Sequence, residues 1–477
     1  MAVHPVRLRR CTQAGTQWPS VSTTHPATRS TTVPPSLRSS PVKRTEGADP
    51  MPMQPWFREA KLGIFVHYGI YAVDGVEESW SFYRGDVSHE RYMAQLERFT
   101  AAAYDPEAWA DLFSRAGADY AVLTTRHHDG VALWDTAYGG LNTVQHTPAR
   151  RDLVSGYAKA LRSRGLKVGF YYSLSNWNHP DYASVAHPDP DPAIAVEDTL
   201  TNPYVVPADG EQNPDAWQRY RHYLHGQVTE LAREFRPDLF WFDGEWERSE
   251  EQWGVDEIAD RILAENAHTV FNGRLLGRGD YATPEQGIPV SAPDGPWELA
   301  LTVNDSWGFR HSDQHFKSVT KLVRYFGEVI GMGGNLLLNV GPREDGSLPA
   351  EAITRLEGLG SWITKHDVAV HGTDAGLPPG HHYGPSTVSA DRLTLYLFCL
   401  DVPREVISLR GLMNRIERVT VVGSGTELGH RTDPGLGAVP GQTWIDAPAD
   451  ADIDEHVTVL AVELDSPLAL YSGRGRN

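Results

Sequence analysis

From about Trp56 to residue 370 the chain alternates short apolar runs with longer stretches whose apolar positions recur at helical spacing. The short runs, Leu62–His67, Tyr120–Thr125, Lys167–Leu174, Leu239–Asp243, Thr269–Gly273 and Asn335–Val340, predict strands. Between them the stretches Pro106–Ala116, Leu153–Arg164, Ala216–Phe235, Val255–Ala267 and Phe316–Val329 predict helices. Pro106 and Pro214 stand near helix starts, where a missing N–H costs little. Repeated strand–helix order with nearly continuous apolar strands implies a parallel sheet covered on both faces. Over some 300 residues the expected closed form is a (β/α)8-type barrel. After about residue 375 the texture changes. Arg392–Leu400, Arg418–Val422, Thr443–Ile445 and Val457–Leu464, punctuated by Gly and Pro, predict a C-terminal β-sandwich. Residues 1–50, rich in Ser, Thr, Pro and Arg without an apolar period, are expected to be a disordered leader. The expected organisation is therefore 1–50 leader, 51–372 barrel and 373–477 sandwich.

Composition narrows the function. The net charge is −19, and the first 50 residues hold seven Lys or Arg against two acids, leaving 36 bases against 60 acids in the remainder. So acidic a body repels phosphate backbones and anionic lipid, which argues against nucleic-acid and membrane partners. The two cysteines, Cys11 and Cys399, provide neither a disulfide framework nor a cysteine zinc site. No run of 18 apolar residues predicts a membrane span. The basic N-terminus is not followed by an apolar segment of the secretory kind, so a cytoplasmic location is expected.

Chemistry concentrates where the predicted strands end. The first runs into His67-Tyr68-Gly69, and the second into Thr124-Thr125-Arg126-His127-His128-Asp129-Gly130. The third carries Tyr171-Tyr172-Ser173 with Asn176-Trp177 beyond, and the fourth ends Trp241-Phe242-Asp243-Gly244. Barrel active sites are built on that rim. Asp243, followed by a glycine without a side chain, can approach a ligand closely, cap the next turn or bind a metal. His67, His127 and His128 suit a metal, although adjacent histidines on a strand point apart, and no second His or Cys cluster completes a set. As neutral imidazoles they equally suit sugar hydroxyls, each offering one donor and one acceptor. Glycoside hydrolysis needs two carboxyl groups, one ionised and one protonated. The candidates for the second are Glu245, Glu247, Glu285 and Glu298, and spacing alone does not rank Glu285 above Glu298. A metal-dependent barrel hydrolase and a non-catalytic sugar-binding protein stay open on the residues alone.

The motifs resemble the α-L-fucosidases of glycoside hydrolase family 29. The segments that carry the resemblance are Lys61–Gly69 after Trp56, Tyr120–Gly130 with Leu133-Trp134-Asp135-Thr136, Phe170–Ser173, Leu239–Gly244, Asn304–Gly308 and Gly334–Pro342, in family order. The resemblance implies a retaining enzyme on a barrel followed by a β-sandwich, without metal or cofactor, acting on fucosylated oligosaccharides or glycoconjugates. Asp243 matches the family nucleophile and Glu285, after Arg274, the acid/base. His67, His127, His128, Tyr171 or Tyr172, Trp80, Trp241 and Arg274 match fucose-binding positions. Phe65, two residues before His67 and so on the same strand face, could with Trp307 form an apolar patch for the methyl of fucose. The chain departs from many relatives in Glu78-Ser79-Trp80, where a serine separates residues expected to be adjacent, leaving Glu78 without an assigned role. It departs again at Gly331-Met332-Gly333, where a lysine or serine is expected. The loop Asn178–Gln212 is expected on the leaving-group side.

Overall fold

The computed structural model describes residues 53–185, 202–206, 212–471 and 473. The expected leader, Cys11 and much of the 178–212 loop lie outside these residues. Seven strands form one parallel sheet: β1 (Leu62–Val66), β2 (Tyr120–Arg126), β3 (Lys167–Ser173), β4 (Leu239–Asp243), β5 (Val270–Phe271), β6 (Glu298–Thr302) and β7 (Asn335–Val340). Their order is β5-β4-β3-β2-β1-β7-β6. Residues 281–285 bridge the two edges, pairing with Asn272 on one side and with Trp297 and Ala300 on the other. The result is a (β/α)8-type barrel whose eighth stave is irregular.

Six helices accompany the strands: α1 (Pro106–Arg115), α2 (Leu153–Ser163), α3 (Pro214–Phe235), α4 (Val255–Glu265), α5 (Val319–Gly331) and α6 (Ala350–Lys365). Short side chains stop the orphan amides at their starts. Asp105 accepts from Glu107 N and Ala108 N, Asp152 from Ser155 N, Asn213 from Ala216 N and Ser318 from Lys321 N. Pro106 and Pro214 occupy first-turn positions, as expected. Among the described residues no helix separates β5 from the eighth stave or that stave from β6. No helix there is long and apolar enough to cross a membrane.

The strand period sorts side chains into two cores. Leu62, Ile64, Phe240 and Phe242 point outward to the helices. Phe65, Tyr120, Val122, Tyr171, Leu239, Trp241 and Leu337 fill the barrel interior. Gly63 faces Tyr120 on the neighbouring strand, and a Cβ there would lie 2.3 Å from the tyrosine ring. The missing side chain makes room for the ring that plugs the barrel beneath the site.

Beyond the barrel, a five-stranded antiparallel sheet and a three-stranded one pack around Val388, Leu395, Leu397, Val419, Ile445, Leu460 and Val462. The alternate residues Tyr396, Phe398 and Val459 join the barrel's outer core. Phe398 meets Trp362 of α6, whose indole Nε1 donates to Val457 O at 3.0 Å. One sheet thus has two apolar faces, one for the sandwich and one for the barrel.

Candidate active site

At the C-terminal ends of the strands lies a cavity of about 200 Å³ lined by Phe65, His67, Glu78, Trp80, His127, Tyr171, Trp241, Asp243, Trp246, Arg274, Glu285 and Trp307. Every site residue expected from sequence lines it except His128. Period-2 geometry explains the selection. Phe65 and His67, like Trp241 and Asp243, stand two positions apart, and the single intervening side chain faces the helices. Tyr171 faces the cavity, whereas the Tyr172 hydroxyl donates to Gln227 Oε1 at 2.9 Å on the outer side.

Asp243 is the best-held group. Arg274 Nη1 lies 2.5 Å from its Oδ1, the Tyr171 hydroxyl donates to Oδ2 at 2.8 Å, and His128 Nε2 stands 3.5 Å from Oδ2. Burial alone would raise the proton affinity of Asp243, but the Arg274 charge and the contacts from His128 and Tyr171 hold its pKa well below the usual carboxylate range. Gly244, with φ of 75°, turns the chain away immediately afterwards, and a Cβ at this position would lie 2.4 Å from Ser175 Oγ. His128 is fully buried beside the Asp243 carboxylate, its Nδ1 against Ser173 Oγ and Ser175 Oγ.

Arg274 holds a second carboxylate, Glu285, on its other terminal nitrogen. Burial raises the pKa of Glu285, Arg274 opposes that shift, and the Asp243 charge adds to it. The indole of Trp241 lies under the guanidinium, 4.7 Å from ring centre to Arg274 Cζ. Glu285 belongs to the eighth stave, paired with Ala300 of β6.

Two of the other candidate carboxyls are occupied elsewhere. Glu298 is buried in the barrel floor, where it accepts from Tyr120 Oη at 2.5 Å, Trp241 Nε1 at 3.0 Å and Tyr281 Oη at 3.3 Å. Glu247 accepts from Trp177 Nε1 and Tyr182 Oη, both at 2.7 Å. Glu245 is near Arg274 but does not line the cavity. Glu78 does line it, and accepts from the backbone N–H of Gly308.

The two cavity histidines are neutral at pH 7. Burial pushes His67 down to about 4, and burial with the neighbouring imidazoles takes His127 well below its ordinary value. Asn339 donates through Nδ2 to Trp307 O at 2.7 Å, so its Oδ1, 2.7 Å from His67 Nδ1, accepts the imidazole proton. His67 Nε2 is therefore an acceptor facing the cavity. His127 is set by Ser79 Oγ, 2.6 Å from its Nδ1, and stacks on Tyr171 at 5.4 Å. Among the described residues the one group of three ligands close enough to share an ion is Asp305, Asp313 and His315, outside this cavity.

Sequence reasoning missed Trp246, Ser79 and Asn339. Asn339 had a legible signal, a polar residue at an inward position of an apolar strand. Trp246, whose ring lies 6.0 Å from that of Trp80 at 20°, had none beyond its closeness to Asp243.

The family model described as alpha-L-fucosidase matches residues 35–367. The chain belongs to the α-L-fucosidase family. Tissue alpha-L-fucosidase of Rattus norvegicus is 30% identical over 351 residues, covering 68% of this chain and 71% of its own length. Among solved structures, alpha-L-fucosidase isoenzyme 1 from Paenibacillus thiaminolyticus superposes with a TM-score of 0.75 at 31% identity, over 86% of this chain and 98% of that one. The Thermotoga maritima alpha-fucosidase in complex with fucose gives 0.69 at 29% identity, over 86% and 97%.

Proposed function

We propose that the chain is a retaining, exo-acting α-L-fucosidase that removes terminal α-L-fucosyl residues from glycans, with Asp243 as nucleophile and Glu285 as acid/base. The observation that carries this reading is the single guanidinium of Arg274 gripping both carboxylates inside one cavity. Two carboxyls spanned by one guanidinium suit the short separation of double displacement, about 5–5.5 Å, better than the roughly 6.5–9.5 Å that leaves room for an attacking water.

In the first step an Asp243 oxygen attacks the anomeric carbon while Glu285 protonates the departing glycosidic oxygen, giving a fucosyl ester and a free acceptor sugar. A substrate entering between the carboxyls separates Glu285 from Arg274, and losing that cation raises the glutamate's proton affinity to the level an acid requires. In the second step Glu285, now a carboxylate, takes a proton from water as the water oxygen attacks the anomeric carbon, releasing fucose and restoring Asp243. Neutral His67 and His127 bind ring hydroxyls. Phe65, Trp241 and Trp307 surround the methyl, a contact worth about 1–3 kcal/mol of discrimination, so hydroxyl geometry must supply the rest. The reaction calls on no cofactor.

The test is release of chromophore from 4-nitrophenyl α-L-fucoside. Asp243→Ala should lower kcat by at least about 10³-fold, and added azide should restore turnover with β-fucosyl azide as product. Activity that survives in Asp243→Ala, or that a chelator abolishes, would sink the assignment.

A further inference from the structure

Two residues beyond Asp243, a third carboxylate lies within the electrostatic reach of the same guanidinium, without an ion pair to it, and takes no part in the steps above. Glu245 opens a single 3-10 turn, Glu245–Glu247, entered through the left-handed Gly244. The turn is pinned by Trp253 Nε1, which donates to Glu245 O at 2.9 Å. The Oε2 atom of Glu245 is sealed from solvent and has no hydrogen-bond partner among the described residues. A sealed carboxylate oxygen without a partner is costly to keep charged, even on a half-buried side chain. The charged groups that act on it are Arg274, Asp243 and Glu285, from the loop after β5, the end of β4 and the eighth stave. The neighbouring Glu247 is turned away into Trp177 and Tyr182. Burial pushes Glu245 up to about 7, with Arg274 pulling the other way and Asp243 adding to the rise. Two carboxylates thus pair with one cation and a third feels its charge, and that third, the least satisfied, changes charge near neutrality.

We propose that Glu245 is a positioning residue that acts through Arg274: ionised, it offsets the guanidinium charge and lets the site favour a cationic sugar ring. A glycosyl transition state carries positive charge on the ring that neither fucose nor the fucoside has. A negative charge near Arg274 stabilises that state and leaves neutral ligands unaffected. The same selectivity extends to one ligand class, ring-nitrogen cations of L-fuco configuration. The inference rests on the fucosidase reading of the cavity.

Binding of a protonated L-fuco iminosugar and of free L-fucose, measured by calorimetry for wild type and Glu245→Gln, tests it. The cation needs Glu245 ionised, so the wild-type affinity for it should tighten as pH rises from 5 to 8. Glu245→Gln should match wild type at pH 5 and bind the cation roughly tenfold more weakly at pH 8. L-Fucose affinity should stay within about twofold of wild type, and kcat/KM should fall with the cation's affinity. Equal losses for cation and fucose, or a cation loss independent of pH, would overturn the proposal. Should Glu245→Gln fail to fold, Glu285→Gln replaces it. Cation binding to that variant near pH 7 should still release protons, read from two buffers of different ionisation enthalpy, and no release overturns the proposal. A wild type that neither cleaves α-L-fucosides nor binds fucose defeats the reading of the cavity instead, whatever Glu245 does.

Discussion

Glu298 and Asp243 are inward-facing carboxylates from different strands, and their partners give them opposite chemistry. Asp243 has a guanidinium and stays ionised. Glu298 has only neutral donors, Tyr120, Trp241 and Tyr281, and burial pushes its pKa up to about 7. A folded-state pKa above the unfolded one means that the folded protein binds the extra proton, so this group's contribution to stability falls as pH rises from about 4.5 to 7. Neutral Glu298→Gln keeps an oxygen acceptor for Trp241 and Tyr120. Its Tm relative to wild type should therefore improve between pH 5 and pH 7.5, measured by thermal unfolding at both. A difference in Tm that does not move with pH would show that Glu298 does not titrate there. His67 contributes with the opposite sign, because a folded pKa near 4 favours folding as pH rises through the 4 to 6.5 range. Comparing the variant with wild type removes that background.

Elements were legible where one period ran uninterrupted. The run Leu239–Asp243 is a strand with the bounds its apolar pattern predicts, and Asn335–Val340 likewise. β6 escaped because Glu298 opens it, straight after Pro296-Trp297, and a charge at an inward position breaks the apolar run. The eighth stave escaped because Pro284 and Glu285 lie within it and its pairing is reduced to isolated bridges. α6 went unread, and α5 begins three residues later than the Phe316–Val329 pattern suggested, at Val319 behind its Ser318 cap. Elements also depend on contacts that no local pattern contains. Gly63 reads as a weak point in β1, yet Tyr120 occupies the space its side chain would need. Gly63→Ala should cost about 1–3 kcal/mol through overpacking, measured by urea unfolding. A stability within error of wild type would mean that the tyrosine has room to move.

On the scale of the molecule, the C-terminal sheet and the barrel share a wall. Tyr396, Phe398, Val457 and Val459 belong to the same buried cluster as Phe326 of α5 and Trp362 of α6. Gly327 on α5 admits the Phe398 ring, which lies 3.2 Å from where a Cβ would be. Phe398→Ala should therefore destabilise the protein by about 3–5 kcal/mol, as a large cavity in a core does. Its effect on KM for the aryl fucoside should be less than about twofold, since ordinary changes remote from the cavity leave binding groups in place. Calorimetric unfolding and steady-state kinetics check the two halves separately. A loss of activity without a loss of stability would mean that the β domain reaches the site by another route.

The sequence by itself determined the barrel, the β domain and the rim that carries the chemistry, because strand and helix periods and the residues at strand ends are local properties of the chain. It brought Phe65, His67, Trp241 and Asp243 to one side by their spacing of two. Tertiary structure alone decided which of the four candidate glutamates shares the cavity with Asp243. Glu245, Glu285 and Glu298 are alike as residues, and each acquires its proton affinity from what encloses it: a recess that leaves one oxygen unpartnered, a shared guanidinium, or a barrel floor of neutral donors. Those surroundings come from strands far apart in the chain, and electrostatic energy depends on distance in space, which no spacing along the sequence encodes.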